Sequence, residues 1–344
     1  MGLTRKARPL RKRNKILVYA AYLMVVMMIF VTGAEFILRQ NGILPYVPTD
    51  VTPLVLPGGK LYQSHPTLGY SYIPGELTII LETGYIFHVT HLPNTLRITR
   101  PIDSGTMPAK KGEIWIFGCS LTHGWSIEDE ETFPWLLQER FPDHEVTNFG
   151  VGGYGTIHSL LQFREALKSK TPKVAVLAYA GFHDERNTFS RFRRKSVASG
   201  NKLGPLIQPY ARLDDDETLQ YFFADVEYPE FPLMRYSALA HFIELEYNFY
   251  EAVSHKSHFV SRKLVEKMAG IAKQHGVTFI LANIHDGRAM QEYAQEKGIP
   301  NVDISVNLYL PANSNLPHDS HPSAIANRQY ADKLEIFLRR FLAE

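Results

Sequence analysis

Ser120 lies in Gly118-Cys119-Ser120-Leu121, directly after the apolar run Glu113-Ile114-Trp115-Ile116-Phe117 and before a helix-compatible stretch. A hydroxyl on such a strand-to-helix turn is held up for attack on an electrophile. At neutral pH it is a poor nucleophile. It needs a base within hydrogen-bond reach, a carboxylate to orient that base, and donors for the oxyanion that forms when a carbonyl is attacked. A histidine and a carboxylate occur together near the C-terminus, in His318-Asp319-Ser320-His321-Pro322. The chemistry these residue types could perform is acyl transfer through a Ser-His-Asp triad.

The same C-terminal loop has the chemistry of a metal site, since His318, Asp319 and His321 could be joined by His285-Asp286 or His183-Asp184. The helical i, i+4 pairing of ligands is missing, however, and a metal would leave the serine turn unexplained. We therefore expect no metal and no cofactor. His123, His158 and His241 are expected at the surface or behind the catalytic groups. Cys119 is the only cysteine, so an internal disulfide framework is excluded, and we expect it to pack as a small buried hydrophobe.

The elements that must position these groups form an alternating pattern. Strands are expected at 113–117, 145–149, 173–179, 277–283 and 301–304, with helices at about 130–140, 156–170, 258–275, 287–297 and 323–342. Apolar strands alternating with amphipathic helices predict a parallel sheet covered on both faces. Ligands bind such sheets at the C-terminal ends of the strands. Ser120 follows the first strand, Asn148-Phe149-Gly150-Val151-Gly152-Gly153 the second, Gly181-Phe182-His183-Asp184 the third, and Asp319-Ser320-His321 precedes the last helix. Residues 40–110 read as a linker and a small β-rich prelude, with strand-like runs at Leu77–Leu81 and Tyr85–Thr90. Residues 185–257 are too long for a simple connection and read as an insertion that could wall a site. Its charge runs, Arg191–Lys195 and Asp214–Glu217, are expected to be solvated faces.

These four blocks, in this order, resemble the SGNH, or GDSL, hydrolase family. The resemblance covers about 112–184 and 277–342, and His65-Pro66-Thr67-Leu68-Gly69-Tyr70 is similar to the prelude of membrane-anchored members. It implies an α/β fold, a flavodoxin-like three-layer α/β/α sandwich with a parallel sheet, here with the prelude and the insertion added. It also implies site roles: Ser120 as nucleophile and first oxyanion donor through its N–H, Gly153 as second donor with Gly150 next, His321 as base and Asp319 as its carboxylate. Three departures stand out. Cys119 replaces the aspartate of the first block. His183 occupies the slot of the Asn that donates to the oxyanion, so that the third donor is His183 or Asn187. A single residue, rather than the common two, separates Asp319 from His321, with Asp303 as fallback carboxylate.

Seven of the chain's cations, Arg5, Lys6, Arg8, Arg11, Lys12, Arg13 and Lys15, precede residue 16 without an acid; removing them from the net +2 leaves −5 for the rest. The body therefore lacks a nucleic-acid signature. Ile16–Ala34 follows as 19 uncharged residues, about 28 Å as a helix, enough to cross a bilayer. The flanking charge predicts a cytoplasmic N-terminus and a body facing the periplasm or exterior. An uncleaved anchor in the inner membrane is expected over a cleaved signal peptide, because the apolar run is long for the latter. We divide the chain into a basic tail (1–15), an anchor (16–38), a linker and prelude (39–111) and a hydrolase-type domain (112–344). The expected function is a membrane-tethered serine esterase that removes or transfers acyl groups, acetyl above all, on envelope or exopolysaccharide sugars. An acylated carbohydrate or another ester would be its partner. The alternative is a catalytically degenerate relative that binds glycan or organises an envelope complex.

Overall fold

The computed structural model describes residues 10–48, 53–102, 111–199 and 206–342; the first residues of the basic tail and parts of the linker and insertion lie outside these. In chain order the elements are α1 (Leu10–Gln40), β1 (Leu54–Leu56), β2 (Tyr62–His65), β3 (Gly69–Tyr72), β4 (Gly75–Ile80), β5 (Ile86–His91), β6 (Glu113–Phe117), α2 (Ser120–His123), α3 (Phe133–Arg140), β7 (Glu145–Asn148), α4 (Thr156–Ala166) and β8 (Val174–Ala180). They continue with α5 (His183–Asn187), α6 (Arg191–Ser199), β9 (Ile207–Leu213), β10 (Leu219–Asp225), α7 (Ala238–Ser254), α8 (Ser257–Gln274), β11 (Thr278–His285), α9 (Arg288–Glu296), β12 (Asn301–Asp303) and α10 (Ala324–Leu342). The chain forms two compact units, one of Met1–Thr49 with Pro229–Tyr250 and one of Asp50–Tyr228 with Glu251–Glu344.

The larger unit is built on a parallel five-stranded sheet in the order β7-β6-β8-β11-β12, the flavodoxin-like arrangement. Strand periodicity splits each central strand between two cores. Ile114, Ile116, Val176 and Ala178 face one, closed by Phe133 and Leu137 of α3 and Tyr330, Leu334 and Leu338 of α10. Trp115, Phe117, Leu177 and Tyr179 face the other, closed by α4, α8 and α9. Because both faces are covered, the strands are apolar at nearly every position, which is why they stand out in the sequence.

The prelude folds as an antiparallel β1-β4-β5 sheet and a β2-β3 hairpin. Its core of Val55, Leu77, Ile79, Phe87 and Val89 also takes in Val151 and Tyr154 from the loop after β7. The insertion contains an antiparallel β9-β10 hairpin that periodicity did not reveal. Its turn is the acidic run expected as a solvated face: Asp214 Oδ1 accepts from the N–H groups of Asp216 and Thr218, a local turn that acid side chains favour. In the smaller unit, α1 includes one stretch, Asn14–Gln40, long and apolar enough to cross a membrane or to be a signal sequence.

Candidate active site

Gly118 and Cys119 turn the chain from β6 into α2, whose first residue is Ser120. A side chain at Gly118 would run into Thr122 and the Ala178 carbonyl, so only glycine lets the turn close. Cys119 is buried in the core behind the turn. Ser120, as the first helical residue, keeps an N–H with no intrahelical acceptor.

The loop before α10 brings a base to this hydroxyl from 201 positions away: His321 Nε2 lies 3.0 Å from Ser120 Oγ. The other ring nitrogen, Nδ1, lies 2.5 Å from Asp319 Oδ1, and the backbone N–H of His321 donates to the same oxygen at 2.6 Å. The single-residue spacing works because the aspartate folds back over its own turn, so one carboxylate oxygen holds both backbone and ring. Asp303, by contrast, accepts from Asn283 and Ser305. His318 stacks on Tyr85 at 5.0 Å instead of facing the serine.

Asp319 has a further donor that the motifs did not point to. The Trp125 indole N–H donates to Oδ2 at 3.0 Å. Burial pushes the Asp319 carboxyl up, but hydrogen bonds from His321 and Trp125 outweigh it and hold it below the ordinary carboxylate range. Trp125 lies on the loop after α2, and Arg97 fixes that loop. Its guanidinium, with no exposed surface, donates to Asp129 Oδ1 (2.6 Å), to the carbonyls of His123 (3.0 Å) and Ile127 (2.8 Å), and to that of Gly124. Asn315 Nδ2 donates to the Ser126 carbonyl at 2.7 Å, joining this loop to that of Asp319.

The loop after β7 supplies the second glycine block. Gly150 spends its N–H on Asn148 Oδ1 at 2.9 Å, and a side chain there would come within 2.5 Å of the His123 nitrogen, so Gly150 serves the turn. Gly153 has φ +83°, a left-handed conformation suited to glycine, and a Cβ there would strike the Tyr70 hydroxyl. Its carbonyl accepts from Arg193 at 2.6 Å. Tyr72 Oη accepts from the Gly152 N–H at 2.9 Å, while Tyr70 Oη donates to the Gly152 carbonyl at 2.7 Å. Prelude tyrosines and an insertion arginine thus clamp this loop. The Arg186 guanidinium donates to the Tyr154 carbonyl at 2.9 Å, a further hold on the glycine turn.

The two candidates for a third oxyanion donor lie differently from expectation. Asn187 is fully buried and its amide is committed to the scaffold: Nδ2 donates to Ser261 at 2.8 Å and Oδ1 accepts from Ile157 at 2.9 Å. His183 is also fully buried, against Tyr179 and Phe182. Burial first, and then the Arg186 charge, keep its imidazole neutral. His123 and His158 are not at the surface. His123 pairs with His91 at 3.0 Å in the interior, and His158 caps the Gly155 N–H at 3.2 Å. Nor is Arg191–Lys195 a solvated face: the Arg191 guanidinium stacks on Tyr228, Arg194 pairs with Glu251 at 2.8 Å, and Arg193 holds Gly153. The tyrosine pair two residues apart on β3 was the available signal for the loop clamp; Trp125 and Arg97 had none.

No protein-family model matches this chain, and no curated protein matches it. Solved structures do resemble it. A G-D-S-L family protein from Desulfitobacterium hafniense aligns over 67% of this chain and 99% of its own at 14% identity, with a TM-score of 0.38. A member of the lipolytic G-D-S-L family from Veillonella parvula aligns over 66% and 98% at 14% identity, with a TM-score of 0.38. A two-domain esterase active on acetylated mannans aligns over 67% of this chain and 50% of its own at 15% identity, with a TM-score of 0.37.

Proposed function

We propose that this chain is a serine ester hydrolase of SGNH type, tethered to a membrane by α1, that acts on acyl groups of envelope or exopolysaccharide sugars. The observation that supports it is the continuous line Ser120 Oγ, His321 Nε2 (3.0 Å), His321 Nδ1, Asp319 Oδ1 (2.5 Å). In this reading the Asp319 carboxylate holds the proton on Nδ1, leaving the Nε2 lone pair to receive the Ser120 proton. Oγ then adds to the ester carbonyl carbon. The N–H groups of Ser120 and Gly153 stabilise the oxyanion. Collapse expels the alcohol, which takes the proton from Nε2 and leaves an acyl-serine. A water, deprotonated by the same nitrogen, attacks that ester and releases the carboxylic acid. If a sugar hydroxyl takes the water's place, the outcome is acyl transfer.

The test is acetate release from p-nitrophenyl acetate and from acetylated oligosaccharides by the full chain in detergent. Ser120→Ala and His321→Ala should each lower kcat at least about a thousandfold. Wild-type rates in Ser120→Ala would overturn the assignment. Wild type and Ser120→Ala both at the uncatalysed background rate would favour the non-catalytic, glycan-binding alternative.

A further inference from the structure

Helix α7 is built inside out. Its inward stripe is polar: Glu244 is fully buried and Asn248 is 5% exposed, the Asn248 amide donating to the Glu244 carboxylate at 2.7 Å. Its outward face carries Ile243, Tyr247, Phe249 and Tyr250 around one exposed acid, Glu246, with Phe249 72% and Tyr250 67% exposed. A helix at a protein–water boundary has the reverse pattern, because each exposed apolar side chain forgoes its transfer free energy. The stripe suits a medium that is itself apolar.

The neighbouring contacts say which medium. Glu35 is the first charge after the uncharged run Ile16–Ala34 of α1, so in a spanning helix it sits at the edge of the hydrocarbon. That carboxylate caps α7, accepting from the N–H groups of Ala238 (2.9 Å) and Leu239 (2.9 Å) and from the Ser237 hydroxyl (2.8 Å). Two more links hold the same junction: Arg39 donates to the Tyr236 carbonyl at 3.2 Å, and the Tyr46 N–H donates to that of Met234 at 2.8 Å. The start of α7 is therefore fixed at the depth where α1 leaves the bilayer, and tyrosine with phenylalanine is the side-chain mixture that this interface favours.

We propose that the outward face of α7 docks into the lipid interface beside α1, as a second, non-spanning membrane contact. The proposal rests on α1 being an anchor. Because Ala238–Ser254 contains no Lys or Arg, the attraction is hydrophobic, and uncharged phosphatidylcholine suffices as the surface.

The experiment places a bimane fluorophore on Phe249→Cys or, separately, on Met27→Cys in the full chain, reconstituted in phosphatidylcholine vesicles with and without nitroxide lipid, labelled in the headgroup region for position 249 and along the acyl chain for position 27. Cys119 is buried, and mock-labelled wild type gives the background. Tyr250→Cys replaces Phe249→Cys if the latter misfolds. The nitroxide should remove at least about half of the emission at both sites. Quenching at 27 but not at 249 overturns α7 docking and leaves the anchor standing. Quenching at neither site overturns both readings, and quenching at 249 alone removes the anchor and with it the proposal, whose depth argument starts from α1. A label at 249 shielded from aqueous iodide but unaffected by nitroxide means that protein covers the face, which also overturns the proposal.

Discussion

The Trp125 indole N–H and the Asp319 carboxylate meet at 3.0 Å, on the oxygen opposite the one that holds His321. The aspartate is thus gripped from both sides, by the imidazole it orients and by a residue on the loop that follows the nucleophile. Trp125→Phe keeps the ring and deletes the donor. It should lower kcat about tenfold, the value of one hydrogen bond to a charged group, with little change in KM. Steady-state kinetics beside near-ultraviolet circular dichroism would check this; an unchanged kcat would mean that the indole only fills space.

Arg97 is the buried charge that holds the Trp125 loop, with Asp129 as its ionic partner. Arg97→Met would strand the Asp129 carboxylate and orphan several carbonyls. The expected loss is about 3–5 kcal/mol of stability, and Arg97→Lys should recover little of it because one ammonium cannot reproduce the fork. Chemical denaturation of the three proteins decides the point.

Gly153→Ala should cost about 1–3 kcal/mol, since its left-handed backbone disfavours a side chain and the new methyl meets the Tyr70 hydroxyl. If Gly153 donates to the oxyanion as proposed above, the substitution should also lower kcat at least about tenfold. Adding Tyr70→Phe removes the atom in conflict and should restore part of the stability. A double variant no more stable than the single one would mean that relief of the Tyr70 clash is outweighed by the backbone strain, the Arg193 contact and the lost hydrogen bond to the Gly152 carbonyl.

Stability should fall in mild acid. Burial holds His91 and His158 neutral in the folded chain, with pKa values pushed down to about 3, aided by the nearby Arg97 and Arg193 charges respectively. In the unfolded chain an imidazole takes up its proton below about 6.5. Between these values the unfolded state binds more protons, so stability is fully present above pH ~6.5 and declines as pH falls toward 3. The slope is up to about 1.4 kcal/mol per pH unit per histidine. Denaturation midpoints at pH 7 and pH 5 measure it, and His158→Gln should flatten the slope. A midpoint rising on acidification would contradict the buried neutral pairings.

Much of this molecule was readable without coordinates. Glu113–Phe117 and Val174–Ala180 are buried on both faces, so they are unbroken apolar runs, and each sheet strand lies within a residue or two of its expected bounds. The β9-β10 hairpin was missed because β10 is largely exposed on both faces and lacks alternation. The insertion arginines looked like a surface run because a side chain's charge does not reveal that a carbonyl such as that of Gly153 waits for it.

Local patterns in the sequence by itself determined the layered α/β class, the apolar N-terminal segment, the serine turn and the candidate loop at the far end. Period, turn chemistry and charge are properties of neighbouring residues, so they survive without a partner in view. Tertiary structure alone decided that His321 meets Ser120, that Gly150 spends its N–H on Asn148, and that Trp125 and two prelude tyrosines hold the loops around them. It also decided that α7 turns its aromatic face outward. Those are contacts between distant segments, and their geometry exists only once both cores have closed around the sheet.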